Sequence, residues 1–126
     1  MRLWHESLIH KLPQKQLCDQ WRECIALLGN GWNKKHSTVD YVFNHSECFL
    51  VAFSIKVFYE MLIRGYHPNA KLIRQALEKR LDKEKTNNII IIGKDIYKRG
   101  IPIYKEHNNS YLIECLNNLE NKGINI

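Results

Sequence analysis

The stretch from Ser46 to Arg64 constrains the fold more than any other part of the chain. Phe49, Leu50, Phe53, Val57, Phe58, Met61 and Leu62 recur at helical spacing and form a wide apolar band. A helix with so broad an apolar face is stable only where other elements cover it. Ser46 suits its N-cap and Gly65 its C-terminal stop, so the spacing predicts the most buried helix of the protein here. The covering elements read the same way. In Leu12–Leu28, Leu17, Trp21, Cys24, Ile25 and Leu28 follow the 3.6-residue period; Pro13 sits in the first turn and Gly29-Asn30-Gly31 ends it. A third helix opens at Pro68 or Asn69 and runs to about Leu81, with Leu72, Ile73, Ala76, Leu77 and Leu81 inward. The last runs from Asn109 or Ser110 to Asn121, turns Tyr111, Leu112, Cys115, Leu116 and Leu119 inward, and stops at Gly123.

Between these helices the pattern is weaker. Trp32–His45 reads as loop with a short apolar piece at Val39–Phe43, and Asp82–Asn88 as a charged connection. Ile89–Ile92 is a β-branched run that favours a strand, and Lys98-Arg99-Gly100 can turn the chain so that Ile101–Tyr104 pairs with it. The expected fold is therefore all-α: a compact single-domain bundle of about four helices over residues 1–126, with the 89–104 hairpin as a minor option.

A chain of 126 residues buries roughly two thirds of its unfolded surface, enough for a real core. No apolar run approaches the ~20 residues that span a bilayer. Met1-Arg2-Leu3-Trp4-His5-Glu6 lacks the apolar segment of a signal peptide, so a cytoplasmic protein without a membrane partner is expected. The net charge of +6 permits a polyanionic partner, but no basic tail supplies it, so any nucleic-acid surface must be assembled by folding. Cys18, Cys24, Cys48 and Cys115 are scattered, with no Cys-x-x-Cys pair, so no metal site and no cofactor are expected. Cys24 and Cys115 fall on apolar faces and read as core.

The residues able to carry chemistry cluster early. Glu23, beside Arg22, stands off the Leu17/Trp21/Leu28 stripe. Such a carboxylate is either half of a solvated helical pair or a general acid/base that stabilises a developing cation. Arg22 then holds a phosphate through its planar fork. In the loop Asn30–His36, Lys34, Lys35 and His36 can meet phosphates and Trp32 can stack on bases; the plainer reading is an exposed connection with chance lysines. His5, His45, His107 and Asn108 can line a cleft, although each histidine taken alone reads first as a structural hydrogen-bonding group. An α-amino group, with pKa near 7.7–8 against about 10.4 for lysine, is a ready amine nucleophile when held in a pocket, and Leu3 and Trp4 can anchor it.

Leu8, Leu12, Leu17 and Arg22-Glu23, their distance from Met1, the Lys34-Lys35-His36 loop and the helix closing on Leu62-Ile63-Arg64-Gly65-Tyr66 resemble the pyrimidine-dimer DNA glycosylase (endonuclease V-like) family. Met1-Arg2-Leu3-Trp4-His5, Asn30–Phe43 and Pro102–Asn108 look closer still to a bacterial branch of small proteins placed in it. The resemblance covers about the first 66 residues. It implies an all-α, metal-free DNA repair enzyme acting on damaged duplex DNA as a monomer. In it Glu23 is the catalytic carboxylate, Arg22 binds phosphate, and Arg2, Asn30, Trp32, Lys34, Lys35 and His36 contact DNA. A terminal amine attacks the sugar carbon, the base leaves, a Schiff base forms, and β-elimination nicks the strand. Two positions depart from the pattern. Arg2 stands where the family exposes a small residue after methionine removal, so either Met1 supplies the amine or the lyase step is altered or lost. Ala26 stands where the family has a further arginine. The alternative from another class is a non-catalytic nucleic-acid-binding module.

Overall fold

The Ser46 hydroxyl accepts the Cys48 amide and starts the central helix, Glu47–Ile63. The structure is a computed structural model that describes residues 2–34, 39–100 and 102–126. The helices are α1 (Gln14–Leu28), α2 (Glu47–Ile63), α3 (Lys71–Glu78), α4 (Lys83–Lys98) and α5 (Asn109–Asn121). Two 3-10 turns, Glu6–Lys11 and Asp40–Asn44, complete the regular structure, and the described residues contain no strand. The fold is all-α. With eight buried residues against six in α1, α2 is the most buried helix, as its apolar band requires. It packs between α1 and α4, and α3 bridges those two. Leu62 and Leu116 depart from their expected inward stripes and lie at 42% and 36% exposure.

The largest correction concerns residues 82–104. The charged connection and the isoleucine run are one continuous helix, α4. Asp82 caps it, accepting the Lys85 amide at 2.8 Å, so the polar segment is the solvent-facing first turns rather than a loop. The run forms no strand; Ile91 and Ile92 are 58% and 48% exposed on the outer face of the helix. Its supposed partner strand is also taken. The Ile103 and Tyr104 amides that a hairpin would pair are instead given to the buried Glu6 carboxylate, each at 2.8 Å.

Gly93 sets how closely α4 approaches α2. A Cβ there would lie 2.5 Å from Val51 Cγ1 and 3.1 Å from the Cys48 carbonyl oxygen. Alanine would otherwise be the better helix former by about 1 kcal/mol. We expect Gly93→Ala to lower stability by about 1–3 kcal/mol through overpacking, despite that propensity gain. Combined with Val51→Ala, the loss should fall below the sum of the two single effects in urea titrations.

Candidate active site

Glu23 is half-buried on α1 and faces a cleft of about 480 Å³. Arg2, Lys15 and Lys122 bring cations to this cleft, and Trp4, Gln20 and Asn118 complete much of its wall. Burial pushes the Glu23 pKa up, and Asp19 one turn earlier adds to it; the Arg2 backbone amide and Lys122 pull it back. The residue-2 backbone amide thus acts on the carboxylate from the cleft wall.

Gln20 explains why the N-terminal segment lies there. It is 1% exposed and one turn before Glu23, on the same side of α1. Its Oε1 accepts the Trp4 amide at 2.7 Å and its Nε2 donates to the Arg2 carbonyl at 3.1 Å, as a neighbouring strand would. The Tyr111 hydroxyl donates to the Leu3 carbonyl, and the Leu3 side chain is fully buried. Residues 2–4 are therefore tied to α1 and α5 through their backbone.

The remaining sequence candidates divide clearly. Arg22 does not share the Glu23 cleft. It is exposed, paired with Asp19, and borders a second cleft of about 380 Å³ with Asn30 and Lys79. Lys15 holds the other Asp19 oxygen at 2.8 Å, and these two hydrogen bonds lower the Asp19 pKa. The Arg2 side chain is only 16% exposed; it leans toward Glu114 at 3.8 Å and lies 5.8 Å from the Trp4 ring centroid. Trp32 turns inward, edge-on to Phe43 at 5.1 Å and 5.6 Å from the Arg80 guanidinium. Lys34 is exposed. Met1, Lys35 and His36 lie outside the described residues.

The three histidines expected at a cleft instead join one aromatic cluster. His5 stacks on His107 at 5.4 Å and its Nδ1 accepts the Ser7 amide. His45 pairs with Glu106 at 2.9 Å, and Asn108 is the N-cap of α5. His107 is 5% exposed; its Nδ1 accepts the Glu6 amide at 3.1 Å, and its Nε2 lies 2.7 Å from the Tyr41 hydroxyl. With Nδ1 an acceptor, the ring is neutral, and its 3.5 Å approach to Glu6 Oε2 is no ion pair. Burial drives its pKa down to about 3. Cys24, fully buried, has its thiol pushed up to about 12 by burial, so it packs rather than reacts.

Gln20, Glu6, Asn118 and Lys122 escaped the sequence reading. Each is a single polar residue with no motif around it. Their roles come from partners up to 98 positions away, as with Glu6 and the Tyr104 amide. Asn118 Oδ1 is buried without a hydrogen-bond partner among the described residues. No group of three His, Cys, Asp or Glu among those residues could hold a metal ion, and no helix among them is long and apolar enough to cross a membrane.

Fold and cleft together define a small helical protein with the half-buried Glu23 carboxylate, Asp19 beside it and several cations around an open site. A sequence model of a known family, described as pyrimidine dimer DNA glycosylase, matches residues 1–74. That span is more than half of the chain, and the chain belongs to this family of DNA repair glycosylases. No curated protein and no solved structure is similar enough to count as a match. Asn118 of α5 and its C-cap Lys122 lie outside the matched span.

The buried neutral His107 predicts an acid sensitivity. Its folded pKa is depressed below the usual 6.5, so its contribution to stability is present above pH 6.5 and lost as the pH falls toward about 3. Stability should decline through that window with an added slope of up to about 1.4 kcal/mol per pH unit. In His107→Gln the added slope should vanish, as chemical denaturation at stepped pH would show.

Proposed function

We propose that the protein is a DNA glycosylase with abasic-site lyase chemistry on damaged duplex DNA, and that Glu23 is its catalytic carboxylate. The observation that carries this reading is the half-buried Glu23 carboxylate in a cleft bordered by Arg2 and Trp4, whose backbone Gln20 ties to α1. Whatever the conformation of residue 1, covalent geometry keeps its nitrogen within about 4 Å of the residue-2 nitrogen. The nucleophile this reading requires is an α-amine of Met1, next in the chain to Arg2. At neutral pH such an amine is unprotonated roughly a few hundred times more often than a lysine.

The nitrogen lone pair attacks the deoxyribose carbon that bears the damaged base, and the N-glycosidic bond breaks as the new C–N bond forms. Glu23 stabilises the positive charge that develops on the sugar and accepts the amine proton. Opening of the sugar ring yields a Schiff base, and loss of a proton from the neighbouring carbon expels the 3′ phosphate by β-elimination. Lys15 and Lys122 bring positive charge to the cleft where strand phosphates would lie. Gln20 acts by position: it holds residues 2–4 so that the amine need not be ordered at each turnover.

Borohydride should trap the protein covalently on duplex DNA containing an abasic site, and absence of any adduct would sink the lyase reading. Glu23→Gln should lower turnover by about 10²–10⁴-fold while DNA affinity persists. If Glu23→Gln turns over normally, the carboxylate is not catalytic and the non-catalytic nucleic-acid-binding reading prevails. The raised Glu23 pKa should place the acid limb of the pH–rate profile above the ordinary value of 4.5. Gln20→Leu should slow adduct formation by about 10²-fold with weaker effect on DNA affinity. Mass spectrometry of the terminus checks that its amine is free.

A further inference from the structure

A third concavity, of about 610 Å³, opens between α2, α3 and α4 and has no part in the chemistry proposed for Glu23. Its floor is apolar: Val51, Ile55, Phe58 and Ile73, the first and last of them buried. One wall is the stacked pair Tyr59 and Tyr97, with ring centroids 5.5 Å apart and planes 29° from parallel. Tyr59 is 46% exposed, so this aromatic surface is open to solvent. Lys71, Arg74, Lys94 and Lys98 stand around the opening, and no carboxylate lines it.

The charge is unbalanced locally. Among the described residues, Lys71, Lys94 and Lys98 are in no ion pair; only Arg74 meets a carboxylate, Glu78 at 3.8 Å. Asn87 accepts from the Arg74 guanidinium and so helps fix its direction. The Glu23 cleft differs, since Asp19 and Glu23 offset its cations. Four cations around an apolar, partly aromatic floor are complementary to a ligand with both parts. Duplex phosphates, by contrast, are met by projecting cations and need no apolar recess beneath them.

We infer that the groove between α2, α3 and α4 is a separate ligand site for a small organic anion with a flat apolar body, an aryl phosphate or aryl carboxylate in type. The ring lies on the Ile55/Phe58 floor beside Tyr59 and Tyr97, and the anionic group meets Lys71, Arg74 and Lys94. The size suits this: drug-sized ligands occupy pockets of about 300–1,000 Å³.

The test uses the full chain and 1-naphthyl phosphate, with 1-naphthol and inorganic phosphate as the two halves of the probe. Calorimetry should show 1-naphthyl phosphate binding at least about tenfold tighter than either half, and more weakly as salt rises. Lys71→Glu combined with Lys94→Glu should weaken it about tenfold or more without shifting the melting temperature, and Ala70→Trp, which fills the groove, should weaken both aryl probes. The inference fails if 1-naphthyl phosphate binds no better than inorganic phosphate or 1-naphthol, or if these variants leave its affinity unchanged. It fails equally if charge reversal reduces duplex DNA affinity in the same proportion, because the groove then belongs to the duplex surface.

Discussion

The buried Glu6 carboxylate holds the two ends of the protein together. At 1% exposure it accepts the Ile103 and Tyr104 amides, while its own amide is taken by His107. A carboxylate removed from water is tolerated only when its oxygens are well supplied with donors, and breaking such an arrangement leaves an uncompensated buried charge. These bonds fix the segment that leads into α5. That helix and its C-cap supply Asn118 and Lys122 to the cleft, and its Tyr111 fastens Leu3. The cleft around Glu23 is thus closed by an interaction that none of its own residues makes.

Within the cleft, the arrangement of charge on α1 follows from helical spacing. Lys15, Asp19 and Arg22 lie at four- and three-residue steps, so Asp19 engages both cations on the outer surface. Such exposed pairs contribute little to stability, on the order of 0.3–0.5 kcal/mol each. Their effect here is electrostatic: Asp19 keeps a negative charge near Glu23 and adds to the upward push that burial exerts on it. Arg22 points to a different cleft, so the adjacency of Arg22 and Glu23 in the sequence does not become a shared site. Neighbours in a helix are about 100° apart, and the pair divides its two side chains accordingly.

What could be read from the sequence was what periodicity and capping report. Ser46, Gly65, Gly29 and Gly123 bracket helices where their residue types suggested, and the Leu17/Trp21/Leu28 stripe is buried throughout. Glu23 could be singled out because it stands polar beside an apolar stripe at a distinctive distance from the start. Four isoleucines misled because β-branching reports a local preference, whereas Gly93 against Val51 and the Asp82 cap decide for helix through packing and hydrogen bonds. His107 and Trp32 show another limit: residues able to meet a ligand are also able to pack within the fold. Nothing local distinguishes those uses. Gln20 was invisible because an amide in an amphipathic helix carries no mark of the backbone it will pair with.

The same contacts bear on the identity of residue 2. The hydrogen bond that holds it to α1 uses its backbone: the carbonyl accepts from Gln20. It does not depend on the side chain. The arginine side chain runs toward Glu114 and Cys115 on α5, with its guanidinium 5.8 Å from the Trp4 ring centroid. The guanidinium is therefore directed at α5, while Arg2 still borders the Glu23 cleft. In the glycosylase reading, this changes the meaning of Arg2. It is less an obstacle in the place of a small nucleophilic residue than an anchor that draws the segment down onto α5.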